Sequence, residues 1–157
     1  MKIYPIDHIS LKLPTKRVEE VDGRVRGVLD LMFETMKKSG GIGLSANQVG
    51  SGLSMFVMET SDGRRLDLVN PEILSRSEKT IKISEGCLSI PKFYMETENR
   101  SEEIEVRFTN KEGQEVVMKL TGMDAACVQH EMEHLEGKSF IDGLNRETRR
   151  KIYKKYL

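Results

Sequence analysis

Apolar residues recur at helical spacing in the segment that follows Asp22. They are Val25, Val28, Leu29, Met32 and Met36, and this spacing places them on one face of a helix. Asp22 is a favourable N-cap residue, Lys37 and Lys38 suit the last helical turn, and Gly40 and Gly41 predict the end. The pattern therefore predicts an amphipathic helix between Asp22 and Gly40.

The middle of the chain has the short apolar runs and the alternation that are typical of β-strands. Strands are predicted at residues 53–58, 66–69, 81–83, 104–108 and 115–120. The last two flank Asn110-Lys111-Glu112-Gly113, a sequence that favours a hairpin turn. The third is expected to lead into a glycine-containing loop from Glu85 to Pro91.

Two further helices are predicted towards the C-terminus. The first begins after Thr121, with Asp124 at the capping-box position, and ends at Gly137. A short basic helix follows Asn145. Few segments remain, so the predicted fold class is α+β, with antiparallel β-sheets packed around a central helix in a single domain over residues 1–157.

The predicted central helix carries the sequence His130-Glu131-Met132-Glu133-His134, although the whole chain has only 3 histidines. A spacing of four residues puts both imidazoles on one helix face, where they can bind a single metal ion. Glu131 then projects beside the metal, in a position to move protons to and from a water molecule. This pattern predicts a metal-dependent enzyme.

A catalytic divalent metal usually has three protein ligands and one open position, so a third ligand is needed. Cys127 lies on the same helix face, but it is about 10.5 Å from His134 along the helix axis. We therefore interpret Cys127 as a small buried apolar residue. Cys87, in the glycine-containing loop, is the better candidate, because a loop can meet the helix face from the opposite side.

Overall charge and composition exclude several classes of protein. The 25 basic and 25 acidic side chains cancel, so no global field favours nucleic acid or a membrane surface. No apolar run approaches the roughly 20 residues of a membrane span, and the N-terminus has no signal-peptide core. We expect a cytoplasmic, reducing location, where the 2 cysteines are free thiols or ligands.

Three segments together resemble the peptide deformylase family. They are Gly41 to Gln48, Glu85 to Ser89 and Gln129 to His134, and they occur in the same order and at similar separations as in that family. The chain departs from the family pattern at Ser45, where alanine is usual, and at Glu133, where aspartate is common. Neither change removes a group with a direct role in the family.

The resemblance implies a hydrolase that removes the N-formyl group from the initiator methionine of nascent polypeptides and releases formate. Cys87, His130 and His134 would bind the metal, and Glu131 would act as acid and base. The formyl oxygen would be met by the Gln48 amide and the Leu88 backbone N–H. Gly43 matches a family position whose backbone pairs with the substrate peptide. Ile42 and Cys127 match positions that line the methionine pocket. Glu85 matches a position behind the metal site, with Arg100 as the candidate for its ionic partner.

The same resemblance supplies expectations for the cofactor and the partners. One thiolate and two imidazoles suit iron, zinc, nickel or cobalt, and the family points to Fe²⁺ in the cell, with Zn²⁺, Ni²⁺ or Co²⁺ as alternatives. We expect a monomer that acts on N-formylmethionyl peptides and has no membrane partner. The basic C-terminal helix could contact the ribosome, although a solvated helix face explains its charges as well.

Two other functions fit parts of the pattern. A metallopeptidase with the same helical histidine pair would need a third ligand downstream, where no histidine follows His134. The non-enzymatic alternative is a structural metal site or an inactive binding relative. A structural site usually has four protein ligands, and only three are convincing here. Intact Glu131 and Gln48 also argue against an inactive protein.

Overall fold

The protein is described here by a computed structural model that covers residues 1–157. Its three helices are α1 (Gly23–Lys38), α2 (Gly122–Leu135) and α3 (Arg146–Tyr156). Its seven strands are β1 (Gly43–Ser45), β2 (Met55–Glu59), β3 (Arg65–Arg76), β4 (Thr80–Cys87), β5 (Ile90–Ser101), β6 (Glu103–Thr109) and β7 (Glu115–Thr121). The strands pair antiparallel, as a five-stranded sheet in the order β1-β2-β3-β6-β7 and a separate β4-β5 hairpin. The predicted α+β class is confirmed.

Strand β2 shows how the larger sheet is buried on both faces. Phe56 and Met58 pack in one apolar cluster with Val128 of α2, whereas Met55 and Val57 pack in a second cluster with residues of α1. Successive side chains of a strand point to opposite faces, so the sheet lies between the two helices. The arrangement fixes α2 firmly against the sheet.

The third helix covers a different part of the molecule. Ile152 of α3 packs with Ile90, Phe140 and Ile141 in a separate apolar cluster that reaches the β4-β5 hairpin. Asn145 caps this helix, since its side-chain oxygen accepts a hydrogen bond of 2.8 Å from the Thr148 N–H. None of the three helices combines the length and the apolar character needed to cross a bilayer.

The segment from Glu85 to Pro91 differs from its prediction. It is not a loop after a short strand, because β4 continues to Cys87 and a two-residue turn leads directly into β5. The sequence analysis predicted no strand at β5. Most of its side chains are exposed or only partly buried, so the strand lacks the apolar alternation on which such predictions depend.

The predicted capping box of α2 is also wrong. Thr121 occupies the N-cap position, but its side chain makes no capping hydrogen bond. The Asp124 carboxylate instead accepts hydrogen bonds of 2.8 Å from the Ser61 N–H and 3.1 Å from its hydroxyl. A tertiary contact has replaced the local one. At α1 the expected cap is present, since Asp22 accepts a bond of 2.9 Å from the Val25 N–H.

Candidate metal centre and active site

Cys87, His130 and His134 meet where the end of β4 faces the inner side of α2. The possible ligand atoms of these three residues all lie within 4.8 Å of one another. Cys87 Sγ lies 3.3 Å from His134 Nε2. Helical spacing brings the two histidines together, whereas strand β4 brings the cysteine from a distant part of the sequence.

His130 is oriented by a carboxylate on its far side. Its Nδ1 lies 2.6 Å from Oε2 of Glu85, which leaves Nε2 free to face Cys87. Burial by itself would raise the pKa of Glu85, but hydrogen bonds from His130 and Arg100 outweigh it and lower the pKa to about 2. The carboxylate is therefore ionised at neutral pH and fixes the ring as an Nδ1–H donor.

Arg100 also binds this carboxylate, and it shares Oε2 of Glu85 with His130. Its Nε and Nη2 donate to the two oxygens of Glu85 at 3.0 and 2.6 Å. Its Nη1 lies 2.5 Å from Oε1 of Glu133 on α2. Only 5% of the Arg100 side chain is exposed, so a buried guanidinium links the hairpin to the helix that carries both histidines.

His134 is buried completely, with a relative exposure of 0%. Burial lowers its pKa well below the usual value, and the positive charges of His130 and Arg100 lower it further. The imidazole is therefore neutral and offers a lone pair, which is the form that binds metals. Its backbone carbonyl accepts a hydrogen bond of 2.5 Å from the Asn47 amide, which ties α2 to the segment after β1.

Glu131 lies beside the three potential ligands and is almost fully buried, at 3% exposure. Its Oε2 lies 3.9 Å from His130 Nε2, and its Oε1 has no hydrogen-bond partner. Burial raises its pKa to about 7. An unpartnered, buried carboxylate oxygen is costly, so the site as built provides for a further group next to Glu131.

This arrangement fits a divalent transition metal. Burial would lower the pKa of His130, but the nearby negative charges, led by Glu131, raise it well above its usual value. The acidic groups are thus arranged around a positive charge, which a metal ion would supply in place of the proton. The donor set of one thiolate and two imidazoles suits zinc, iron, nickel or cobalt.

Gln48 reaches the same centre from a short 3-10 helix, Ala46–Val49, that directly follows β1. Its Nε2 donates to Ser89 Oγ at 2.9 Å and lies 3.4 Å from Cys87 Sγ. Its Oε1 accepts from the Ser45 N–H at 3.0 Å and lies 3.0 Å from the Ser45 hydroxyl. The amide nitrogen therefore points towards the metal ligands.

A cavity of about 620 Å³ opens beside these groups. Its lining includes Ile42, Gly43 and Leu88, together with Glu85 and the side of α2 that carries Cys127, His130 and Glu131. Cys127 is no part of the ligand cluster, and burial raises its pKa well above the usual value, so it stays a neutral thiol. At Gly43 an added Cβ would lie 2.6 Å from Glu131 Oε2 and 2.8 Å from Cys127 Sγ, so a larger residue there would displace the side chains of the site.

Several contacts in the centre were not predicted from the sequence. The ion pair of Arg100 with Glu133, the bond of Gln48 with Ser89 and the bond of Asn47 with the His134 carbonyl join residues that are distant in sequence. The bond of Gln48 with Ser45 does have a local signal, because Ser45-Ala46-Asn47-Gln48 has the spacing of a capping box. Glu133 and Ser45 attracted attention only as departures from the family pattern. Both turn out to hold a neighbouring group of the site.

Comparison with known proteins adds an independent line of evidence. The sequence profile of the family described as polypeptide deformylase matches residues 1–150. The chain is 41% identical to a peptide deformylase of Phenylobacterium zucineum over 98% of this chain and 93% of that protein. It is 40% identical to the peptide deformylase of Aquifex aeolicus, over 98% and 92% of the two chains.

A solved structure agrees with these sequence matches. The crystal structure of peptide deformylase from Ehrlichia chaffeensis in complex with actinonin superposes with a TM-score of 0.93 at 33% identity. The match covers 99% of this chain and 94% of that one. Sequence and fold thus point to the same group of proteins over nearly the whole length of the chain.

Proposed function

Because the chain belongs to the polypeptide deformylase family, we propose that its cavity is the active site, with a metal ion held by Cys87, His130 and His134. The enzyme removes the formyl group from the N-terminal methionine of new polypeptides and releases formate. The observation that carries the assignment of residues is the cluster of three ligand atoms within 4.8 Å, beside the unpartnered oxygen of Glu131.

The metal ion, when bound, supplies Lewis acidity and makes water a better nucleophile at neutral pH. Glu131 takes the proton from the attacking water and returns it to the amine nitrogen as the bond to the formyl carbon breaks. Burial raises the pKa of this carboxylate to about 7. Positive charge nearby lowers such a pKa, which keeps the group available as a base.

Gln48 and Leu88 stabilise the negative charge that develops on the formyl oxygen. The Gln48 amide is held with its nitrogen towards Cys87 by its bonds with Ser45. Leu88 lies in the turn directly after the cysteine, where its backbone N–H can donate to the same oxygen. Donors that are in place before the reaction contribute more than donors that must be reoriented.

The substrate peptide adds to the free edge of β1. This strand is the outermost of the larger sheet and pairs only with β2, so the backbone of Gly43 is available for a further strand. The methionine side chain enters the cavity, where Ile42 and Cys127 contact it. Glu85 acts at a distance from the substrate, by orienting His130.

Fe²⁺ is the proposed ion in the cell. A ferrous ion next to a thiolate is sensitive to oxygen, so the protein must be prepared without air. We expect the iron form to turn over faster than the zinc form of the same preparation, as measured by formate release at equal metal occupancy. Equal turnover of the two forms would contradict this choice of metal.

We further propose that the protein acts as a cytoplasmic monomer that meets its substrates as they leave the ribosome. Its exposed helix α3 carries six basic side chains, Arg146, Arg149, Arg150, Lys151, Lys154 and Lys155. Basic surfaces bind RNA in a salt-dependent manner. Pelleting of the protein with ribosomes should therefore weaken as salt is raised, and pelleting that does not change when α3 is deleted would contradict this contact.

A pair of peptides tests the proposed activity. We expect formate release and a new free amine from a formylmethionyl peptide, and no cleavage of its unformylated twin. Hydrolysis of internal bonds in the twin would instead support the metallopeptidase alternative. Metal content must be measured on the same sample, so that an inactive preparation without metal is recognised.

A further inference from the structure

Lys92 is the only lysine or arginine among the residues that line the cavity. The two acidic residues of the lining, Glu85 and Glu131, are buried. Lys92 is exposed and forms no ion pair, whereas Lys82 on the adjacent strand lies 3.3 Å from Glu96 and 3.7 Å from Glu98. An ammonium group without a partner therefore stands at the mouth of a site that binds peptides.

The backbone of β5 is distorted at this residue, because the register of the hairpin shifts between Gly86 and Cys87. Gly86 pairs with Tyr94, but the next residue of β4, Cys87, pairs with Ile90. Three residues, Pro91, Lys92 and Phe93, therefore bulge out of the hairpin on the side of the cavity. Bulges of this kind commonly redirect a side chain next to an active site.

Lys92 has a φ of 68°, a conformation that L side chains rarely adopt. Glycine would take this conformation with less strain. Its exposure gives Lys92 little packing to offset the strain. The neighbouring Tyr94 ring is 70% exposed and lies over Gly86, where an added Cβ would come within 2.5 Å of the ring. The bulge thus places the Lys92 ammonium group and the Tyr94 ring where a peptide that extends out of the cavity can contact them.

We propose that Lys92 selects substrates by binding a carboxylate that lies just beyond the formylmethionine. The inference rests on the function proposed above, and it names the class of substrate that this site prefers. The peptide leaves the cavity past the rim, so the carboxylate can be an acidic side chain at the second or third residue. In a short peptide it can also be the C-terminal carboxylate.

Matched peptides measure the preference. Formyl-Met-Asp-Ala-amide and formyl-Met-Ala-Asp-amide are compared with the same peptides carrying Asn in place of Asp, which has nearly the same shape. An exposed ion pair corresponds to about a two- to fivefold effect, so we expect kcat/KM to favour an Asp peptide by that factor. The difference should lie in KM, because the contact is present equally before and during the reaction.

Variants assign the preference to Lys92. In K92Q the ratio of Asp to Asn peptides should fall to one, and in K92E it should drop below one. K92G should also lose the preference, while its thermal unfolding temperature rises because the strain is relieved. The matched control is K82Q, which removes one charge from the same hairpin outside the cavity and should keep the wild-type ratio.

Peptides with a free C-terminus separate the two sources of the carboxylate. If only formyl-Met-Asn-Ala with a free carboxylate gains over its amide, and Lys92 is required for that gain, the ligand is the chain terminus. Equal kcat/KM for all peptides, or a preference that survives in K92Q, would overturn the inference while leaving the deformylase activity intact. Failure to release formate from any peptide would contradict the proposed function and the inference with it.

Discussion

The floor and the rim of the cavity differ in burial and in the number of contacts that hold each side chain. On the floor, Glu85, His130 and Glu131 are each at most 7% exposed, and Glu85 is hydrogen-bonded to both His130 and Arg100. On the rim, Ile42, Tyr94 and Met123 are 51%, 70% and 46% exposed. The groups proposed to perform the chemistry are therefore shielded from solvent, whereas the groups proposed to select the substrate remain exposed to it.

This difference sets the size of the effects that mutations should have. Interactions on the floor act where water is excluded and charges are weakly screened, so the loss of one group is costly. Interactions on the rim are screened by water and salt. The contrast between the two regions can be tested by comparing variants whose expected effects decrease from floor to rim.

The largest effect is expected for Glu131→Gln. The amide keeps the shape of the side chain but cannot accept a proton, so turnover should fall by about 10²–10⁴-fold or more. Metal content should stay at one ion per chain, because Glu131 is not a ligand in the proposed site. Formate release and metal analysis of the same sample check both statements, and a variant with most of its activity would exclude Glu131 as the base.

The next effect is a loss of stability in Arg100→Met. This change leaves Glu85 and Glu133 without their shared cation, and removal of one partner from a buried ion pair typically costs about 3–5 kcal/mol. Urea unfolding of the metal-free protein measures the loss. Arg100→Lys is the control, since it keeps the charge but not the two-pronged contact with Glu85, and it should recover part of the stability.

A readout on the metal separates positioning from stability alone. Without Arg100, the Glu85 carboxylate is less firmly held, and His130 loses its fixed orientation. Loss of such outer contacts commonly weakens metal binding by about 10–100-fold. An unchanged dissociation constant for the metal would mean that Arg100 only stabilises the fold.

A smaller effect on the reaction is expected for Gln48→Ala. Loss of one donor to a developing oxyanion typically costs about 10²–10³-fold in kcat, with little change in KM. Ser45→Ala provides a finer test, because it keeps Gln48 but removes one of the groups that orient it, and its effect should be smaller. A change confined to KM would show that Gln48 binds the substrate without stabilising the transition state.

The rim completes the series, with a two- to fivefold change in kcat/KM expected at Lys92. Added salt should reduce this preference, because the ion pair is exposed. It should leave the effects of Glu131→Gln and Gln48→Ala almost unchanged. A salt response of equal size on floor and rim would contradict the contrast between the two regions.

The parts of this account that follow from the sequence are mainly local. Helical spacing alone places His130 and His134 on one face, and Asp22 and Gly40 mark the ends of α1 correctly because caps act over a few residues. The contact of Cys87 with the histidines joins residues that are more than 40 positions apart in the sequence, so no short pattern predicts it. The sequence analysis reached it by exclusion of Cys127 and by resemblance to a family, not from a pattern of its own.

Other features depend on tertiary contacts that no short pattern reveals. Strand β5 is stabilised by its pairing with β4, and most of its side chains are exposed or only partly buried, so its sequence has no clear period. The bond between Asp124 and Ser61 replaces the predicted cap, and Arg100 joins two acids that lie on different elements. The bulge at Lys92 likewise becomes visible only from the register of the hairpin.

X-ray absorption at the metal edge of protein purified without air tests the central assignment most directly. We expect one sulfur and two imidazole nitrogens bound to a single ion per chain. In Cys87→Ser the sulfur contribution should disappear, whereas in Cys127→Ser it should remain. A spectrum without sulfur, or a sulfur signal that depends on Cys127, would contradict the proposed metal centre.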